Sequence, residues 1–146
     1  MSELSERVLS DLRAAFAAES ATIQRYAYFA QLAEMEGQAE VARVFSDLAE
    51  SLACVAHGHY DFLHEVADPV SGQPTGETRL NLVAALASEL RGATEYYPQL
   101  ADAALGAGLA DVGSWMMTLS ALKKAHSDKL AEVLTGEPGQ ADPPAV

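Results

Sequence analysis

The sequence predicts an all-α chain made of two copies of one helical hairpin, and three observations predict it. Apolar residues recur at helical spacing through most of the 146 residues, with no convincing period-two alternation. Turn-forming residues collect in a few places, chiefly 67–78 (ADPVSGQPTGET) and 136–146 (GEPGQADPPAV). The second half also repeats the apolar pattern of the first at an offset of 71 residues.

Each element follows from these signals. The first helix is expected at about 5–36 and the second at 39–66, with Gly37 supplying the turn between them. A crossover at 67–77 leads to a third helix at 78–105, for which Thr78 is the expected N-cap. Glycines 106 and 108 turn the chain into a fourth helix at 109–135, and 136–146 reads as a flexible tail. Hairpin one thus covers 5–66, hairpin two covers 78–135, and the two form one domain over 1–135. Breaks that run short, long, short match an antiparallel four-helix bundle of two hairpins joined by a crossover loop.

The repeat is visible in the apolar seams. The second helix carries Val41, Phe45, Leu48, Leu52, Val55, His59 and Phe62 at alternating spacings of four and three. Adding 71 gives Val112, Met116, Leu119, Lys123, His126, Leu130 and Val133 on the fourth helix. These seams are the expected core. Glu19 interrupts the stripe Leu12, Phe16, Ile23, Tyr26, and Glu89 interrupts Leu82, Leu86, Ala93 and the tyrosine pair Tyr96–Tyr97. From Glu19 to Tyr26 is seven residues and from Glu89 to Tyr97 is eight, so one extra residue lies within the third helix. Such an insertion predicts a π-bulge, and Pro98 is a second cause of a kink there.

Pattern therefore places Glu19, Glu89, Lys123 and His126 at one level of a bundle, and ionised side chains are rarely buried unless paired or metal-bound. Composition narrows the alternatives. Nine basic against 21 acidic residues give a net charge of −12, which excludes nucleic acid and anionic lipid as natural partners. The single cysteine, Cys54, allows no intrachain disulfide and no Cys-x-x-Cys metal cluster, and it reads as a small buried residue. A polar, acidic N-terminus without signal-peptide character, and no apolar run of membrane-spanning length, point to the cytoplasm. Cys54, His57, Asp61 and His64 share one face of the second helix but lie off its seam, and His59 on the seam reads as a core histidine. Trp115, Met116 and Met117 read as core or dimer packing. Phosphate-binding glycine loops and nucleophile elbows are absent.

The segments AFAAESATIQRYAYFAQLAEMEG and VAALASELRGATEYYPQLADAALGAG, with AHGHYDFL and DPVSG between them, resemble the rubrerythrin family. The likeness covers about 8–134 and is nearest to short members without a rubredoxin domain. It implies a ferritin-like four-helix bundle, usually dimeric, holding two irons that reduce peroxide. In that pattern each half gives one glutamate from its first helix, here Glu19 and Glu89, and a Glu-x-x-His from its second. Tyr26 and Tyr97 match tyrosines near the site.

The ligand pattern then departs from the family. The first Glu-x-x-His falls on Leu52 and Val55, and the second on Lys123 and His126. The further glutamate three residues beyond the third-helix ligand is Gly92. An ammonium therefore stands where a bridging carboxylate is expected, and two carboxylates meet one lysine and one histidine with a net charge of −1 or 0 without metal.

Two functional readings follow. In the first, Lys123 neutralises Glu19 and Glu89 in a metal-free site that needs no cofactor. The chain is then a scaffold or a metal-independent enzyme, with Lys123, Glu19, Glu89, Tyr26 and Tyr97 as the reactive or proton-handling groups. In the second, Glu19, Glu89 and His126 hold one iron, manganese or zinc ion per chain in an oxidoreductase acting on peroxide or oxygen, with residual di-iron binding as a variant and a separate protein as electron donor. The expected assembly is a homodimer, with pairing to an intact rubrerythrin-like homologue as the alternative.

Overall fold

In a computed structural model, residues 5–136 are described; the tail expected at 136–146 lies outside them from residue 137 onward. All described regular structure is helical: α1 Glu6–Met35, α2 Ala39–Leu63, α3 Thr78–Arg91, α4 Tyr97–Gly106 and α5 Ala110–Gly136, with a π-helical turn over Gly92–Tyr96 joining α3 to α4. The third predicted helix is thus one helical run broken by a π-turn, where the extra residue between Glu89 and Tyr97 predicts it. Pro98 sits in the first turn of α4, where its missing N–H is tolerated. None of the described helices is long and apolar enough to cross a membrane.

The chain divides into two compact units, one up to Pro69 and one from Val70. In the first, α1 packs along α2. Ser5 caps α1 by accepting the Val8 N–H at 3.3 Å. The helix ends where Gly37 adopts φ +76°, and the Gln38 N–H reaches back to the Ala33 carbonyl at 2.8 Å. In the second unit α5 packs against α3, the π-turn and α4. Its turn is the same device: Gly108 at φ +77°, with the Leu109 N–H donating to the Ala104 carbonyl at 2.9 Å. Residues 33, 37 and 38 correspond to 104, 108 and 109 at the offset of 71, so the two hairpins close by one left-handed glycine motif.

The helix–helix core differs from the expected seam by one residue. Buried positions on α2 are Ala42, Ala49, Ala56 and Leu63, a strict heptad one step beyond Val41, Leu48, Val55 and Phe62, which are 43–58% exposed. The shift recurs on α5, where Gly113 and Ser127 are buried while Val112 is 41% exposed. Small residues let the helix axes approach, and the neighbouring stripe of large residues is left outward. At Gly113 the fit is tight enough that a Cβ would lie 2.7 Å from the Leu105 side chain. Aromatic contacts Phe16–Tyr60, Tyr26–Phe45 and Phe29–Phe45 fill the wider parts of the first hairpin.

Three local expectations change. Thr78 is the first helical residue rather than the cap; the preceding Glu77 makes no side-chain capping bond, and Asn81 accepts the Gly76 N–H instead at 2.9 Å. α2 ends at Leu63, three residues short of 66, and Tyr60 donates to Asp68 at 2.9 Å to hold the chain that follows. Cys54 is exposed rather than buried, because it lies outside the heptad that meets α1.

Candidate functional site

The second unit gathers three of the sequence-predicted residues around one carboxylate. Glu89 projects from the last part of α3 with its side chain 17% exposed. Lys123, from the middle of α5, donates from Nζ to Glu89 Oε1 at 2.8 Å. His126, one helical step further at i+3, places Nδ1 3.2 Å from Glu89 Oε2. Both oxygens of the carboxylate are therefore engaged by α5. The register that puts Lys123 inward also puts Leu122 outward, at 47% exposure.

Gly92 makes room for this arrangement. A Cβ at Gly92 would lie 3.3 Å from Cγ and Cδ of Lys123 and 3.6 Å from its Cε. The aliphatic stem of the lysine thus occupies the space that a side chain at 92 would claim. The stem packs while the ammonium keeps access to water, a common compromise for lysine. Lys123 remains 32% exposed, so the pair is half-buried rather than sealed in an apolar core, and losing Glu89 costs less than for a fully desolvated charge.

The π-turn shapes the wall beside the lysine. A π-turn leaves its carbonyls out of the ordinary i to i−4 ladder, and one of them, Ala93, accepts a 2.7 Å hydrogen bond from the Ser120 hydroxyl on α5. Ser120, Lys123 and Ser127 lie on the face of α5 that meets α3 and the π-turn, at spacings of three and four. The turn also carries Tyr96 and Tyr97 around so that both line a cleft of about 370 Å³ together with Val70, Ser88, Arg91, Gly92 and Lys123. Their rings meet edge-on at a centroid distance of 5.2 Å.

Not all the predicted residues are gathered here. Glu19 lies half-buried midway along α1 in the first unit, where among the described residues it makes no hydrogen bond or ion pair. Tyr26 belongs to the aromatic cluster of that unit, 5.7 Å from Phe45. Among the described residues no three His, Cys, Asp or Glu side chains are grouped to hold a metal ion, so the helical face bearing Cys54, His57, Asp61 and His64 does not assemble one. Sequence reasoning missed Ser120 and Arg91. Ser120 is three residues before Lys123 on the same face, which is the signal that could have found it; Arg91 follows Glu89 by two and shares no periodic position with it.

Similarity to known proteins runs through both hairpins. A family model described as rubrerythrin matches residues 11–134. Rubrerythrin-1 of Clostridium acetobutylicum is 29% identical over 136 residues, covering 88% of this chain and 70% of that protein. Rubrerythrin of Porphyromonas gingivalis is 30% identical over 124 residues, covering 82% of this chain and 62% of that one. Rubrerythrin of Nitratidesulfovibrio vulgaris is 26% identical over 130 residues, covering 86% and 68%. The chain therefore spans about 62–70% of the length of these relatives. With the family model extending through both hairpins, the chain belongs to the rubrerythrin family.

Proposed function

We propose that this rubrerythrin-family chain carries a metal-independent site in its second hairpin, where Lys123 supplies the positive charge that the resemblance assigns to iron. The observation that carries the reading is the engagement of both Glu89 oxygens by Lys123 and His126. The donor set does not fit a pair of irons. Positions that would add carboxylates hold Leu52, Gly92 and Lys123, and the position of the first histidine holds Val55. A cation brought to Glu89 would have to displace an ammonium at 2.8 Å or sit beside it, and either is unfavourable at reduced dielectric.

The pair is placed to act on a bound molecule. Glu89 holds the ammonium from one side while Lys123 also lines an open cleft, so the lysine can offer a hydrogen bond or a proton to a molecule bound there. Tyr97, on the same cleft, is a second hydroxyl donor. We assign the chain to small-molecule binding with proton transfer rather than to peroxide reduction, and to a homodimer whose contact surface includes the outward large residues of α5, with Trp115 at 58% and Met117 at 59% exposure.

The deciding experiment measures metal per chain by mass spectrometry, in protein purified without chelator and again after anaerobic addition of ferrous iron. Substoichiometric metal in both samples is expected. Stoichiometric metal would overturn the reading in favour of an oxidoreductase using Glu19, Glu89 and His126. The variant Gly92→Glu with Lys123→Glu returns two carboxylates and removes the stem that fills their space; it is expected to retain more iron than the unaltered chain under the same conditions.

A further inference from the structure

The cleft beside Lys123 has a chemical character at odds with the rest of the chain. The protein carries 21 acidic and nine basic residues, yet two of the basic ones, Arg91 and Lys123, line this single cleft and, among the described residues, no carboxylate does. Glu89 offsets Lys123 from behind but is not part of the wall. Arg91 makes no ion pair among the described residues, so the cleft keeps an uncompensated guanidinium. Lys123 commits one of its three protons to Glu89 and retains two.

The remaining wall is apolar or aromatic. Val70 and the rings of Tyr96 and Tyr97 face the same space, and neither tyrosine hydroxyl has a hydrogen-bond partner among the described residues. Ser88 spends its proton on the Ala85 carbonyl at 2.9 Å and offers only lone pairs. The volume of about 370 Å³ lies at the lower end for small-molecule sites. A fork-shaped guanidinium, an ammonium and two phenolic donors, set against flat rings, match a planar carboxylate on an apolar body better than a compact, fully hydrated anion.

We propose that this cleft binds a small organic carboxylate with a flat apolar body, its carboxylate held between Arg91 and Lys123 and its body against Tyr96 and Tyr97. The wall runs across the π-turn, with Arg91 at the end of α3, Gly92 and Tyr96 in the turn and Tyr97 at the start of α4. The proposal shares Lys123 with the metal-independent reading and rests on that lysine staying in place. Whether metal is bound elsewhere is settled separately by metal analysis, so either idea can fail alone.

The test is a titration of the full chain, of known metal content, with benzoate and separately with inorganic phosphate, followed by amide chemical shifts. Benzoate is expected to saturate shifts centred on residues 88–97 and 123, and to bind more tightly than phosphate. Arg91→Gln, a change at an exposed position, is expected to weaken benzoate about tenfold or more. Tyr96→Ala is expected to weaken it several-fold, and Lys124→Gln, whose lysine pairs with Asp128 outside the cleft, to leave it unchanged. Absence of saturable shifts at these residues, equal affinity in Arg91→Gln, or tighter binding of phosphate would each overturn the proposal.

Discussion

The two hairpins share a frame and differ in what the frame holds. Position by position at the offset of 71, Lys123 and His126 of the second stand where the first has Leu52 and Val55, and Ser120 stands where the first has Ala49. The first hairpin has an uninterrupted 30-residue helix in α1, while the corresponding run of the second contains the π-turn Gly92–Tyr96. Its glutamate, Glu19, makes no ion pair among the described residues, whereas Glu89 makes two close contacts with α5. At these positions one repeat carries leucine and valine and the other a polar cluster. The frame does not depend on Leu52 and Val55 or on their counterparts Lys123 and His126, because the glycine turns and the small-residue heptads that build each hairpin occupy other positions.

The largest expected effect tests that frame. Leu63 is 1% exposed at the end of the small-residue heptad, while the adjacent Phe62, on the large-residue stripe, is 58% exposed. Leu63→Ala is expected to cost about 2–4 kcal/mol in urea unfolding, against less than about 1 kcal/mol for Phe62→Ala. The counterpart of Leu63 in the second hairpin, Leu134, is only half-buried, so Leu134→Ala is expected to fall between them. Equal losses at 62 and 63 would show that the large stripe is packed in solution as tightly as the small one.

The next effect concerns the carboxylates. Glu89→Ala removes the partner of a lysine that is 32% exposed, and is expected to cost about 1–2 kcal/mol rather than the larger penalty of a fully buried unpaired charge. Glu19→Ala, with no ion pair to break among the described residues, is expected to stay within about 0.5 kcal/mol. The double variant Glu89→Leu with Lys123→Leu, which removes both charges and leaves neither unpaired, is expected to recover most of the loss of Glu89→Ala. Additive losses in the double variant would mean that Glu89 and Lys123 contribute to stability independently, and the contrast between the hairpins would then lie elsewhere.

These contrasts also mark what the sequence could and could not reveal. Helix starts and both glycine turns were legible because glycine at a left-handed position and uninterrupted helical period are local signals, whereas the early end of α2 was not. The π-turn was legible for a different reason: an internal repeat acts as a ruler, and a spacing of eight against seven exposes one inserted residue. The apolar seams put Glu19, Glu89, Lys123 and His126 at one level, and the last three meet in the second unit. The face along which α2 meets α1 was not legible, because apolar patterning favours large side chains while close helix approach selects small ones such as Ala42, Ala49 and Ala56. Arg91 escaped because it lines the cleft from the end of α3, two residues after Glu89, at no apolar periodic position.

The smallest expected effect isolates the π-turn itself. An α-helical residue would have its carbonyl taken by the ladder, but Ala93 is served by Ser120 from α5 at 2.7 Å. The first hairpin has Ala49 at the equivalent place, and its α1 contains no π-turn requiring such a donor. Ser120→Ala is therefore expected to cost about 1 kcal/mol, the net worth of one half-buried hydrogen bond, with the loss read by urea unfolding. If the hydroxyl pins the turn, amide exchange in the variant should quicken over residues 92–97 while the α1–α2 hairpin is unchanged. A stability loss spread evenly over α5, with no added exchange at the turn, would instead make Ser120 an ordinary packing residue and leave the π-turn held by the helices on either side of it.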